Sequence, residues 1–90
     1  IYRVITLSLS LGLAASVLAA DFTTTKALAE QGNALAQYEL AEKYDSGEGV
    51  PFDPVIAAEW YTKAAEQGND QAQYKLGNMY YYGMGGLPQD

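Results

Sequence analysis

An internal repeat constrains this chain more than any other feature of its sequence. When the sequence is shifted by 36 positions, the segment from Ala29 to Gly49 falls on the segment from Ala65 to Gly85, and 12 of the 21 aligned positions are identical. A repeat period in the mid-thirties is typical of solenoids built from helix pairs. The repeat therefore predicts an array of stacked helices, in which each unit packs on its neighbours.

The segment between Asp53 and Gly68 has the pattern of an amphipathic helix. Asp53 is a favoured N-cap residue, and Pro54 suits the first helical position, where its missing N–H costs nothing. Gly68 is expected to end the helix in the left-handed conformation. The apolar residues of this segment recur at helical spacing, at Ala57, Trp60, Tyr61, Ala64 and Ala65.

A second kind of helix occurs once in each copy of the repeat. The inward positions are Ala36, Leu40, Ala41 and Tyr44 in the first copy, and Ala72, Leu76, Gly77 and Tyr80 in the second. A small residue at positions 41 and 77 suggests that two helix backbones approach closely there, with a tyrosine covering the gap. Gly32 and Gly68 are also expected to define the repeat. β-Branched aliphatic residues, which favour strands, are sparse after residue 21. We therefore predict an all-α fold.

The first twenty residues differ in character from the rest. Arg3 is followed by an uncharged run from Val4 to Ala20, and then by Asp21. This order is similar to a secretory signal peptide, and we expect cleavage after Ala19 or Ala20, which predicts a periplasmic or secreted protein. A membrane anchor is the alternative, although the run of 17 residues is short for crossing about 30 Å of hydrocarbon. After cleavage, no stable membrane insertion is expected.

Composition excludes several kinds of chemistry. The chain has no cysteine and no histidine, so it can form no disulfide, no cysteine nucleophile and no ordinary zinc site. Its five basic residues are scattered and its net charge is −6, which argues against binding to nucleic acid. We predict no metal site and no cofactor.

Catalysis by the remaining polar residues has weak support. Ser46 lies three residues after Lys43, but a turn role explains it better than a Ser–Lys nucleophile. The carboxylates of Glu39, Glu42 and Asp45 are spaced by three residues, and we interpret them as a solvated helix face. The chain is therefore not expected to be an enzyme.

The repeated strings carry a resemblance to a known family. Residues 57–69 read AAEWYTKAAEQGN, residues 72–80 read AQYKLGNMY, and residues 83–85 read GMG. Together they resemble the Sel1-like repeat (SLR), a branch of the tetratricopeptide-like α-solenoids. The departures are Ala41 in place of glycine, an inserted Gly86, and Leu87 where valine is usual. The resemblance implies a right-handed α-α superhelix of antiparallel helix pairs that acts as a scaffold or adaptor for a protein or peptide partner.

The expected organisation follows from the repeat and the resemblance. Residues 1–20 are the predicted signal peptide, 21–31 a degenerate N-terminal helix or cap, 32–68 the first SLR repeat, and 69–90 the first half of a second repeat. We expect this incomplete array to be a fragment of a longer one, because solenoid repeats bury their faces only against neighbours. A second possibility is a non-catalytic module of an envelope-associated hydrolase or of its regulator.

Four of the residues that differ between the two copies are candidate partner-binding residues. Tyr81 and Tyr82 correspond to Asp45 and Ser46 in the first copy, and exposed tyrosines suit interfaces. Asn78 and Glu42 also differ between the copies and are expected on the same helix face. Burial of the tyrosines against a following helix is the alternative interpretation.

Overall fold

A computed structural model describes residues 14–89 of the chain, with side chains described from Phe22 onward. Four helices occupy this range: α1 (Ala14–Glu30), α2 (Ala34–Ser46), α3 (Pro54–Glu66) and α4 (Asp70–Tyr82). Over residues 14–89 the structure contains no strand, and the predicted all-α solenoid is confirmed. Most of the predicted signal peptide, residues 1–13, lies outside the described residues. None of the four helices is long and apolar enough to cross a membrane.

Each helix packs mainly on its neighbours in the chain. The α2–α3 contact is the most extensive, and the α1–α2 and α3–α4 contacts are smaller. This nearest-neighbour pattern is the packing expected of a solenoid, in which every unit is stabilised by the next one. It places α2 and α3 together as one helix pair, with α1 and α4 on either side of that pair.

Asparagine and aspartate side chains begin three of the helices. Asn33 and Asn69, which are equivalent in the repeat, accept hydrogen bonds at Oδ1 from the backbone N–H groups of Ala36 (2.9 Å) and Ala72 (2.8 Å). Asp53 accepts from the first-turn N–H groups of α3 at 3.1 Å, as its predicted N-cap role requires. These bonds satisfy backbone donors that have no partner within the helix.

Two buried clusters form a continuous core. The smaller cluster joins α1 to α2 and contains Ala29, Ala36 and Leu40. The larger cluster joins α2, α3 and α4 and contains Tyr38, Ala41, Ala57, Ala58, Tyr61, Ala64, Ala72 and Met79. Tyr44 and Trp60 pack against both clusters. These two aromatic residues therefore connect the core across the first repeat, in agreement with their predicted inward positions.

Ala41 and Gly77, the two small residues predicted at close helix contacts, have different surroundings. Ala41 is fully buried, but an added Cβ at Gly77 would meet no atom within 4 Å, and Gly77 is exposed. Within the described residues no helix backbone lies against Gly77, so the expected close approach at this position stays a prediction. The surroundings differ because α3 covers this position on α2, whereas among the described residues no helix covers it on α4.

The second copy also buries a different residue from the one predicted. Tyr80 is 37% exposed, which is less burial than an inward position implies, and Leu76 is only partly buried. Met79, at 4% exposure, is the buried residue of this turn. It is covered because the chain after α4 folds back, so that Leu87 packs against the larger cluster and Gly85 lies against the Met79 side chain.

Candidate functional site

A cleft of about 440 Å³ is lined by residues from all four helices. We call it the acidic cleft, because four carboxylates and two lysines line it. Its lining residues are Thr25, Glu39, Glu42, Lys43, Asp45, Ser46, Glu48, Tyr61 and Lys75. A cleft with contributions from successive helices is a surface that exists only when the helices are stacked.

The spacing of residues on α2 puts the carboxylates on one side. Glu39, Glu42 and Asp45 follow one another at intervals of three residues, which keeps them close together along a helix surface. The opposite side of α2 carries Ala36 and Leu40, which are buried. Burial of the apolar side therefore fixes which way the acidic side faces.

Two buried tyrosines donate hydrogen bonds to two of the cleft carboxylates. The Tyr38 hydroxyl donates to Oε2 of Glu42 at 2.7 Å, and the Tyr61 hydroxyl donates to Oδ2 of Asp45 at 3.2 Å. The Lys75 Nζ lies 4.0 Å from the same Glu42 oxygen. The two tyrosine rings also contact each other, with centroids 5.9 Å apart. Glu42 and Asp45 are thus held in position from the core.

The same contacts change the acidity of the phenols. The hydrogen bond to Glu42, together with burial and the charge of that carboxylate, raises the pKa of Tyr38 to about 12. Burial, followed by the charge of Asp45 and the hydrogen bond to it, raises the pKa of Tyr61 further. Both phenols therefore stay protonated at physiological pH and remain hydrogen-bond donors to the cleft.

The Ser46 hydroxyl of this cleft takes part in a turn of the backbone. The Ser46 hydroxyl lies 3.5 Å from the carbonyl oxygen of Lys43 and donates to it, which fits the predicted turn role. Within residues 14–89, no group of three or more acidic, histidine or cysteine side chains is placed to hold a metal ion.

The predicted partner-binding residues do not come together. Glu42 lines the acidic cleft, whereas Asn78, Tyr81 and Tyr82 are exposed on α4 and do not line it. Tyr81 and Tyr82 are 62% and 65% exposed, and their rings meet edge to face with centroids 4.9 Å apart. Glu42 and Asn78 occupy equivalent positions in the repeat, so they lie on equivalent faces of two different helices, α2 and α4, and not on one face.

Sequence reasoning missed Thr25, Glu48 and Lys75 as cleft residues. Lys75 carried a usable signal, because it stands where the first copy has Glu39, so the charge reverses between the two copies. A smaller cavity of about 320 Å³ adjoins Lys75 and is lined also by Tyr38, Asp70, Gln71 and Tyr74. The lysine thus lines both the acidic cleft and a tyrosine-lined cavity beside it.

Comparison with known proteins agrees with this architecture. The sequence model of the Sel1 repeat matches residues 34–69 and 70–90. A Sel1 repeat protein from Oxalobacter formigenes has 45% sequence identity and a TM-score of 0.71, with 73% of this chain and 19% of that chain covered. No curated protein matches the chain.

A second solved structure is that of a protective antigen present in uropathogenic Escherichia coli strains, which displays an SLR fold. It has 38% sequence identity and a TM-score of 0.73, and the match covers 77% of this chain and 15% of that chain. The present chain thus spans a small part of either relative. With its repeat matched over 34–69 and 70–90, the chain belongs to the Sel1 repeat family.

Proposed function

We propose that this chain is a protein-interaction scaffold whose acidic cleft holds a positively charged segment of another protein. Sel1 repeats mediate protein interactions, which supports the general role. The observation that supports this binding site is the cleft itself, where Glu39, Glu42, Asp45 and Glu48 surround a space of about 440 Å³. Lysine and arginine side chains are the complementary groups for such a surface.

The geometry favours binding without a large ordering cost. Glu42 and Asp45 already have fixed positions, because Tyr38 and Tyr61 hold them by hydrogen bonds from the core. A preformed site loses less conformational freedom when a partner binds than a flexible one does. The net charge of −6 adds a long-range attraction for basic partners, which speeds their encounter with the chain.

Direct binding of peptides tests the proposal. Fluorescence anisotropy would follow a labelled peptide that alternates arginine with glycine and serine, beside a second peptide with glutamate in place of arginine. We expect the basic peptide to bind, the acidic one not to bind, and added salt to weaken binding because it screens exposed charges. Replacement of both Glu39 and Glu48 by glutamine should lower the affinity by about tenfold.

The matched control removes the same charge elsewhere. Glu59 and Glu66 are exposed on α3 and do not line the cleft. The Glu59→Gln, Glu66→Gln double variant should therefore bind the basic peptide as the parent protein does. Equal weakening by both double variants would show that net charge alone attracts the peptide, and would refute the cleft as the binding site.

We propose further that the protein is exported and does no catalysis of its own. The apolar run over residues 4–20, which ends in small residues before Asp21, supports removal of a leader after Ala19 or Ala20. Mass spectrometry of the protein from the periplasmic or culture fraction should then find Ala20 or Asp21 at the N-terminus. Recovery of intact residues 1–20 in the membrane fraction would instead support an anchor.

A further inference from the structure

The two sides of the acidic cleft carry opposite charges. The side formed by α2 and the loop after it holds all four carboxylates and keeps an excess of negative charge, although Lys43 belongs to it too. The side formed by α4 contributes Lys75 alone among the described residues that line the cleft. Both α2 and α4 pack on α3, which fixes the position of one side relative to the other.

The ammonium group of Lys75 is only loosely engaged by the acidic side. Its Nζ lies 4.0 Å from Oε2 of Glu42, which is close enough for an ion pair but too long for a hydrogen bond. The same oxygen accepts the hydroxyl of the buried Tyr38 at 2.7 Å. The two charged side chains are 39% and 44% exposed, and an ion pair of this kind is weak. The three donors of the Lys75 ammonium group therefore remain open to another acceptor.

Space for such an acceptor surrounds Lys75. This lysine lines both the acidic cleft and the adjoining cavity of about 320 Å³. Tyr38 of α2 also lines that cavity, so the space lies between two helices of the chain and not on the outer side of α4. Asp70 is the acidic residue of α4 at this cavity, but it stands five positions before Lys75, a spacing at which helical side chains do not face each other.

A partner segment that enters the cleft meets both sides. In an extended segment, successive side chains point in opposite directions. A basic residue directed at the carboxylates of α2 therefore has a neighbour directed at Lys75. When that neighbour is acidic, the weak pair between Lys75 and Glu42 is replaced by two contacts with the partner. A segment with basic residues alone leaves the Lys75 ammonium group facing like charge.

From this arrangement we infer that Lys75 determines which basic segments the cleft accepts, and that the preferred partner has an acidic residue directly beside a basic one. The inference rests on the proposed binding of basic segments in the acidic cleft, and it adds the charge pattern of the partner. Because the cleft has four carboxylates and two lysines, basic residues stay in excess in that partner. Complementary charges of this kind set specificity more than they set affinity.

A series of peptides tests the inference. Each is the labelled peptide of arginine, glycine and serine used above, with one serine beside an arginine replaced by glutamate, or by glutamine as the uncharged control. Fluorescence anisotropy gives the Kd of each pair. For at least one position, the parent protein should bind the glutamate peptide about threefold more tightly than the glutamine peptide. Net charge alone predicts the opposite sign, because a protein with a net charge of −6 repels an added carboxylate.

Two variants with the same net charge show whether Lys75 is responsible. Lys75→Gln should reverse the preference, so that the glutamate peptide binds less tightly at every position. Lys63→Gln is the matched control, because Lys63 is exposed on α3, does not line the cleft, and lies 5.7 Å from the centre of the Trp60 ring. It should keep the preference of the parent protein. Circular dichroism melts verify that both variants are folded, and Lys75→Met is a second variant that removes the charge.

Three results would overturn the inference. These are a parent protein in which glutamate weakens binding at every position, a Lys75→Gln variant that keeps the preference, and a Lys63→Gln variant that loses it. In each case the basic peptides still bind, so the proposed scaffold function stands. Absence of binding by every arginine-containing peptide is a different result, which refutes the proposed binding site and this inference with it.

Discussion

The ring of Tyr38 on α2 packs against the ring of Tyr61 on α3, with centroids 5.9 Å apart and planes inclined by 49°. The Tyr38 hydroxyl donates a hydrogen bond to Glu42, and the Tyr61 hydroxyl donates one to Asp45; both carboxylates belong to α2. One aromatic pair therefore does two things: it joins the two helices of the first repeat, and it fixes the acidic side of the cleft.

Loss of the Tyr61 ring should unfold or nearly unfold the protein. Tyr61 is fully buried, and replacement of a buried aromatic residue by alanine costs about 3–5 kcal/mol, a large part of the free energy of unfolding of a small domain. Urea denaturation followed by circular dichroism measures the change. Tyr61→Phe keeps the ring and loses only the hydrogen bond to Asp45, so it should cost about 1 kcal/mol.

Tyr74→Ala is the matched control for this experiment. Tyr74 is the repeat equivalent of Tyr38 but is 70% exposed, and surface substitutions usually change stability by about 0.5 kcal/mol or less. Equal destabilisation by Tyr61→Ala and Tyr74→Ala would contradict the packing described for α2 and α3.

Gly85→Ala should destabilise the protein more than Gly86→Ala. Both glycines have positive φ, 62° and 76°, so alanine at either position is strained, at a cost of about 1 kcal/mol. Only at Gly85 would the added Cβ also lie 2.8 Å from the Pro54 carbonyl oxygen and 2.9 Å from Cε of Met79. We expect a total cost of about 2–4 kcal/mol there, measured by thermal melts. Similar costs for both variants would show that the loop does not pack on α3.

The N-cap residues of the two copies should contribute similar amounts to the free energy of unfolding. Asn33→Ala and Asn69→Ala each remove a side-chain acceptor for a first-turn N–H group, at a cost of about 1 kcal/mol. Asn78→Ala makes the same substitution at an exposed position inside α4 and should be neutral or slightly stabilising. Chemical denaturation of the three variants gives the comparison, and a cost at Asn78 equal to that at Asn69 would contradict the cap assignment.

Stability should fall at alkaline pH through the buried phenols. The pKa of Tyr38 rises from its ordinary value of 10.0 to about 12 in the folded chain. Its contribution to the free energy of unfolding is therefore complete below pH 10 and is lost as the pH rises through 12. Ultraviolet absorbance of tyrosinate should show a fraction that titrates near pH 12, and Tyr38→Phe should remove it. A parent protein whose tyrosines all titrate together near pH 10 would contradict the buried hydrogen bond.

Local signals in the sequence predicted most of the first repeat. Asp53 and Pro54 begin α3 as their chemistry requires, and the helical spacing of Trp60 and Tyr61 correctly predicted the side of α3 that is buried. These predictions are correct because helix caps and helix periodicity depend on residues only a few positions apart. In the first repeat, the neighbouring helices needed to complete the packing are also present.

The second copy was harder to predict because its surroundings differ. Identity between the copies suggested that Tyr80 and Gly77 behave like Tyr44 and Ala41, but burial depends on which helix packs against the turn, and the sequence of the turn does not encode that. Met79 is buried because the loop after α4, with its inserted Gly86, returns toward α3. The acidic cleft was missed for a similar reason, since Lys75 and Glu42 meet only after the helices stack.

The most direct test is to observe which residues respond when a basic peptide binds. In a nuclear magnetic resonance titration of the isotope-labelled protein with the arginine-containing peptide, amide shifts should change at the acidic cleft, at Thr25, Glu39, Glu48 and Lys75. Signals from Tyr81 and Tyr82, which lie outside the cleft, should stay in place. Shifts confined to α4 around Tyr81, or no shift at peptide concentrations that saturate anisotropy, would contradict binding in the cleft.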